Sequence, residues 1–246
     1  MTIKDTVKRM LGRRGRLLAR RLRTRRWAIT KEYRAALQAK RCLEIGGPSD
    51  ILGFGGPLPV YSCLAAIDNC NFAQDTIWSS EAVRYSSIFV VDGTALQIES
   101  GSYDCVIASH CLEHIANPIK ALLEWKRVLR RDGLLLLILP HRDHTFDWRR
   151  PVTTIEHMRK DYESGVAESD LTHLDEVLSL HDLSRDPGAK SPEEFRERSL
   201  NNSRFRAIHH HVFVPETAAE ILREVGFSVL RQDVEGFHII TLAKSS

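Results

Sequence analysis

Four short stretches carry residue types whose spacing could do chemistry. Glu44-Ile45-Gly46-Gly47-Pro48-Ser49 sets a carboxylate before two glycines, which let a backbone turn tightly and approach a ligand closely. Asp68 follows 24 residues after Glu44, then come Asp92-Gly93 and Ser109-His110. A carboxylate at 68 can accept both hydroxyl hydrogens of a ribose, and one at 92 can accept from the exocyclic amine of an adenine. In this order they describe a pocket for a nucleoside. Taken singly, each has a plainer explanation, since a Gly-Gly pair is often a mere turn and a strand-end aspartate a helix cap.

Such residues matter only if one set of elements brings them together. RCLEI (41–45), LAAID (64–68), SIFVVD (87–92), YDCVIASH (103–110) and LLLLILP (134–140) read as strands. Their near-continuous apolar runs are those of strands buried on both faces, as in a parallel sheet. Between the fourth and fifth, Asn117 is placed to cap a helix with Pro118 at its first position, and Ile119, Leu122, Leu123 and Leu129 share a face. A second helix starts at Pro215 and ends at Gly226, and FSVLRQ (227–232) with GFHIITLA (236–243) form a hairpin. Ligands of open α/β sheets sit beyond the carboxyl ends of the strands, where the four stretches fall.

The net charge of +3 is unevenly spread. Residues 1–26 hold eleven Lys/Arg and one acid, leaving 24 basic against 31 acidic residues in the rest. With Ile3, Val7, Met10, Leu11, Leu17, Leu18 and Leu22 on one side, residues 1–28 are expected to be a basic amphipathic segment. Such a segment suits peripheral contact with an anionic membrane or an acidic partner; a solvated terminal helix is the plainer alternative. No run of 18 apolar residues and no secretory signal occurs, and five cysteines without C-x-x-C spacing point to reduced thiols. These features predict a cytoplasmic protein, peripheral at the inner membrane surface if the tail binds there.

LEIGGPS, with VDGTALQIESGSYDCVIASHCLEHIANPIKALLEWKRVLRRDGLLLLILP downstream, resembles the core of class I S-adenosylmethionine (SAM)-dependent methyltransferases. The likeness spans roughly 40–140 and 212–243. It implies a doubly wound, mostly parallel seven-stranded α/β sheet with an antiparallel C-terminal hairpin. Residues 29–246 would form that domain, with 141–214 inserted after strand five over the acceptor site. By position, Glu44, Gly46 and Gly47 match the motif at the methionine end of the cofactor. Asp68 matches the ribose-binding acid, Asp92 the adenine-side acid, and Ser109 with His110 the segment beside the methyl group. The first motif is shortened from E/D-x-G-x-G-x-G to Glu44-x-Gly46-Gly47-Pro48. That spacing, with Asp50 nearby, argues against a dinucleotide, whose pyrophosphate needs G-x-G-x-x-G.

The insertion is rich in His, Asp, Glu and Arg. PHRDHTFDWRRPVTTIEH, with HHHVF downstream, resembles a bacterial methyltransferase subgroup found beside glycan-building glycosyltransferases. That likeness implies O-methylation of a sugar or glycan-precursor hydroxyl, whose proton must leave as its oxygen attacks. Histidine titrates in the right range, which makes His141 and His144 the first candidate bases and His110 the third. The same histidines and carboxylates also suit Zn²⁺. His209-His210-His211 would diverge in a strand though converge in a loop, and no metal-ligand set is assigned. Two other functions compete: an RNA methyltransferase using residues 1–26 as a phosphate-binding arm, ranked lower because the body is acidic, and a non-catalytic module on the same fold.

Overall fold

A computed structural model describes residues 26–73, 85–186, 188–189 and 191–246. The expected basic segment 1–28 lies almost wholly outside these residues. No described helix is long and apolar enough to cross a membrane.

Helix α1 (Thr30–Leu37) precedes β1 (Arg41–Ile45), β2 (Ala66–Asn71), β3 (Ile88–Val90) and β4 (Tyr103–Ser109). Then come α2 (Pro118–Val128) and β5 (Leu129–Pro140). The insertion carries α3 (Ile155–Glu163), α4 (Leu174–Leu180), α5 (Pro192–Leu200) and the single turn α6 (Asn202–Phe205). Helix α7 (Pro215–Glu224), β6 (Phe227–Glu235) and β7 (His238–Ser245) complete the chain. The seven strands form one sheet in the order β3-β2-β1-β4-β5-β7-β6. The pairs from β3 to β5 are parallel, while β7 runs antiparallel to both neighbours. This is the expected doubly wound α/β architecture with its terminal hairpin.

The central strands are mostly apolar because each face meets its own core. Leu43, Val106, Leu135 and Leu137 pack with Trp125 of α2 and Ile221 and Leu222 of α7. The alternate residues Cys42, Cys105, Ile107 and Leu136 pack with Tyr33 and Leu37 of α1 and with Leu52, Leu58 and Val60. The period-two alternation therefore changes partner rather than polarity. Asn117 accepts a hydrogen bond from the Lys120 amide at 3.1 Å and Pro118 opens α2, as its sequence predicts. Leu129, expected on that helix, instead opens β5.

Two stretches take structure that the sequence pattern does not assign. The 49–60 segment after β1 forms turns and bends, followed by a single 3-10 turn over Tyr61–Cys63, so no α-helix makes this crossover. The insertion, polar by composition, carries four short α-helices. Some of its apolar residues, Val177, Ala189, Phe195 and Ile208, form a small core of their own, while Ile155, Met158 and Phe213 join the main core. Thr154 and Ser191 cap α3 and α5 through the His157 and Glu194 amides.

Candidate functional site

A cavity of about 820 Å³ opens at the carboxyl ends of β1, β2, β3 and β4. Its size lies in the upper part of the roughly 300–1,000 Å³ range of small-molecule sites. The body contributes Gly46, Ser49, Asn71, Asp92, Ser109 and His110, and the insertion contributes Thr145, Phe146, Arg206 and His209. The loop after β1 is built for close approach. Gly46 has φ +77°, and a Cβ there would sit 2.8 Å from Cys111 Sγ. Gly47 cannot carry a side chain either, because its Cβ would fall 2.1 Å from the Glu44 carboxyl carbon. Ser49 Oγ reaches Ser109 Oγ at 3.0 Å, tying this loop to the tip of β4.

Glu44 does not face the cavity. It is fully buried and held by the hydroxyls of Tyr61 and Tyr85, while the Tyr61 oxygen also accepts from the Ser49 amide at 2.7 Å. Its work is to anchor the glycine loop from behind. Burial raises its carboxyl to about 7, against the two hydroxyls that favour the anion. An acid raised in the folded state keeps its proton longer there, so stability is highest below its unfolded value and falls as pH rises through 7. The loss amounts to about 3 kcal/mol between about pH 4.5 and 7.5. Glu44→Gln is expected to flatten that decline in urea-unfolding curves; an unchanged slope would assign it to other groups.

Asp68, expected at the tip of β2, is three residues short of it. Strand pairing carries β2 on to Asn71, with Cys70 opposite both Ile45 and Phe89. Asp68 is therefore buried within the sheet, where its Oδ2 accepts from Tyr103 Oη at 2.9 Å and from Arg41 at 3.1 Å. It does not line the cavity; Asn71 does. The Asn71 amide donates to the Gly47 carbonyl at 2.7 Å and to Asn69 Oδ1 at 3.0 Å, which leaves its own oxygen to accept. The sequence holds one signal for this shift: Asp68 lies inside the run AIDNCN, and Asn71 ends it. Asp68→Ala is expected to cost about 1–3 kcal/mol of stability, because Tyr103 loses its buried acceptor, while SAM affinity stays at the wild-type value. Denaturant titration and calorimetric binding separate the two effects.

Asp92 lies on the cavity wall as expected. It accepts from the Thr94 amide at 2.8 Å and pairs with Arg206 at 3.1 Å. Arg206 also pairs with Glu168 and lies over the Phe72 ring at 5.2 Å. The insertion thus closes on the β2 and β3 tips through one arginine. Arg198, the other arginine on the wall, is bound to Asp186 at 2.7 Å. With both guanidiniums paired, the cavity suits a ligand whose nucleoside end carries no phosphate.

The expected catalytic histidines separate. His141 and His144 pack on each other at 4.9 Å beyond the end of β5, outside the cavity wall. His110 is on the wall at φ +50°, with Nε2 2.8 Å from His238 Nδ1 and Nδ1 3.4 Å from Glu113. Burial, then the proximity of His110, lowers His238 to about 3, so this ring is neutral. A second polar cluster lies on the insertion. His209 lines the cavity, and its Nδ1 meets Asp147 Oδ2 at 2.5 Å. Burial pushes Asp147 up, yet the charges of His209 and Arg150 prevail and hold it at about 2. Burial likewise lowers His209, and Asp147 more than offsets this to raise it above the usual value. Arg150 is 1% exposed and bridges Asp147 at 3.0 Å, Glu176 at 2.8 Å and the His209 carbonyl at 2.8 Å. Nothing in the local sequence links residues 62 positions apart, and no sequence signal pairs them.

The three consecutive histidines part company. His209 turns to the cavity, His210 Nε2 meets Asn202 Nδ2 at 3.1 Å, and His211 Nε2 meets the Ala116 carbonyl at 3.1 Å. The His210 amide donates to the Glu113 carbonyl at 2.8 Å, pinning the triplet beside the segment that follows β4.

Comparison with known proteins bears on the same region. Residues 60–137 match the family described as methyltransferase domain. No curated protein matches. Among solved structures, the 1,6-didemethyltoxoflavin-N1-methyltransferase of Burkholderia thailandensis, with 1,6-didemethyltoxoflavin and S-adenosylhomocysteine bound, is 13% identical at a TM-score of 0.50. The alignment covers 89% of this chain and 79% of that one. A SAM-dependent methyltransferase of Thermotoga maritima, described as a possible histamine N-methyltransferase, is 14% identical over 88% and 87% of the two chains at a TM-score of 0.47. At 13% identity the Burkholderia structure speaks to the fold alone. The matched family segment runs from the residue before the 3-10 turn through β2, β3, β4 and α2 into β5, and the chain is a SAM-dependent methyltransferase with S-adenosylmethionine as its cofactor.

Proposed function

We propose that the chain methylates a hydroxyl of a sugar or glycan precursor. The observation that carries this is the His209–Asp147 pair on the cavity wall supplied by the insertion. An alcohol, unlike a neutral amine, has almost no nucleophilicity until its proton begins to leave, so a hydroxyl acceptor calls for a base. Asp147 takes the Nδ1 side of His209, which fixes the ring and leaves Nε2 to receive the hydroxyl proton. Thr145, Asp186 and Arg198 line the same cavity and supply partners for a polyhydroxyl ligand. The choice of a sugar among hydroxyl acceptors rests on the sequence likeness of 140–157 to the glycan-associated subgroup.

The residues at the strand tips would hold the cofactor: Gly46 and Ser49 on one side, Asn71 and Asp92 toward the nucleoside. When bound, S-adenosylmethionine supplies a sulfonium methyl open to in-line attack. Alignment within the cavity is the larger contribution of the protein, since fixing the reactants replaces a bimolecular encounter with a positioned one. His110 borders the same space at the tip of β4, where Glu113 and His238 hold its ring in place. Incubation with methyl-labelled SAM and a panel of nucleotide sugars and glycan precursors tests this function. Alkali-stable label on a sugar oxygen is the expected product; label confined to amine or RNA acceptors would overturn it.

A further inference from the structure

We propose that His157, Asp161, His173 and His211 form a binding site for a divalent first-row transition ion, with Zn²⁺ the best match. One ring nitrogen from each histidine and one Asp161 oxygen lie within 4.8 Å of one another. His157 Nε2 is 3.2 Å from His173 Nε2 and 3.2 Å from Asp161 Oδ2, and Asp161 Oδ2 is 4.0 Å from His211 Nε2. Four ligands at the usual Zn–N and Zn–O distances of about 2.0–2.1 Å stand roughly 3.3 Å apart at the corners of a tetrahedron. Two of the separations match that edge at 3.2 Å, and the wider ones, up to 4.8 Å, require the side chains to close in on the ion. Three imidazoles and one carboxylate are also the donors that zinc takes in preference to hard-oxygen ions.

The surroundings support a ligand role over a set of internal hydrogen bonds. Asp161 Oδ2 is buried and has no hydrogen-bond partner. His211 is fully buried, with Nε2 against the Ala116 carbonyl and Nδ1 without a partner. Nε2 is also the nitrogen 4.0 Å from Asp161, so ligation there would exchange the carbonyl contact for the ion. His157 and Asp161 sit one turn apart on α3, a spacing that points both side chains the same way. His157 is 42% exposed and gives the ion a way in.

None of the four lines the cavity, so the ion would be structural. It would join α3, the segment before α4 and the 209–211 stretch, and so fix the insertion wall that carries His209. The site is independent of the hydroxyl acceptor proposed above.

The test uses the full chain, stripped with chelator and titrated with Zn²⁺. One equivalent per chain should bind and raise Tm with ion concentration. Four-coordinate Co²⁺ should give intense visible bands. His157→Ala and His173→Ala should each weaken binding at least tenfold, the scale seen when only an outer-shell partner of a metal ligand is lost. Because His157 is partly exposed, His157→Ala should fold and keep the wild-type circular dichroism. The double variant His141→Ala/His144→Ala should bind as wild type, which separates the site from an adventitious surface pair. Failure of the wild-type chain to bind Zn²⁺, or binding that survives His157→Ala and His173→Ala but is lost in His209→Gln, would overturn the proposal; the latter would move the ion to Glu113, His114 and His209.

Discussion

His209→Gln is expected to lower kcat about 10²–10⁴-fold, the range lost with a general base, while SAM binding is unchanged. Glutamine keeps a polar side chain of similar reach but cannot take a proton. Asp147→Asn should give a comparable loss, because the ring keeps its place but is held in the wrong tautomer to accept a proton. His141→Ala and His144→Ala, outside the cavity, should leave kcat at the wild-type value. Steady-state assays that resolve kcat from KM decide the matter. If His209→Gln keeps full kcat and His110→Gln does not, the base is at the tip of β4 and not on the insertion.

Arg150→Met is expected to cost about 3–5 kcal/mol of stability, the largest single effect on the fold that the structure suggests. The guanidinium is buried, and three groups of different origin depend on it: Asp147, Glu176 and the His209 carbonyl. Methionine fills much of the volume but leaves the Asp147 carboxylate buried with His209 as its remaining ionic partner. Breaking one side of a buried pair costs far more than the pair contributes as a whole, because the abandoned charge stays out of water. Urea-unfolding midpoints with unchanged slope would report this loss. Arg150→Met/Asp147→Leu should recover part of it, since no unpaired carboxylate remains; equal loss in both variants would place the cost in packing instead.

The sheet was largely legible. Apolar runs at 41–45, 103–110 and 134–140 emerged as β1, β4 and β5, because a strand buried on both faces is near-continuously apolar, with Glu44 an exception held by two tyrosine hydroxyls. Asn117 with Pro118 marked α2, and Pro215 marked α7, since capping and the fixed φ of proline act within a few residues. The loop glycines were also readable, their positions dictated by local backbone demands. The site was less so. Asp68 and Glu44 have the right type for ligand contact, yet both are spent inside the protein, on Tyr103 and Arg41 in one case and on two tyrosines in the other.

The sequence by itself determined the five parallel-sheet runs, the helices that begin at Pro118 and Pro215, the terminal hairpin and the glycine turn after β1. These follow from interactions between residues a few positions apart. Tertiary structure alone decided where β2 stops, because pairing with β1 and β3 carries it to Asn71 and so exchanges an aspartate for an asparagine at the tip. It also decided that three adjacent histidines serve three environments, since their partners Asp147, Asn202 and Ala116 come from separate parts of the chain. Hydrogen-bonding groups have no sequence range: a buried polar atom takes whichever partner the packing of distant elements places within reach.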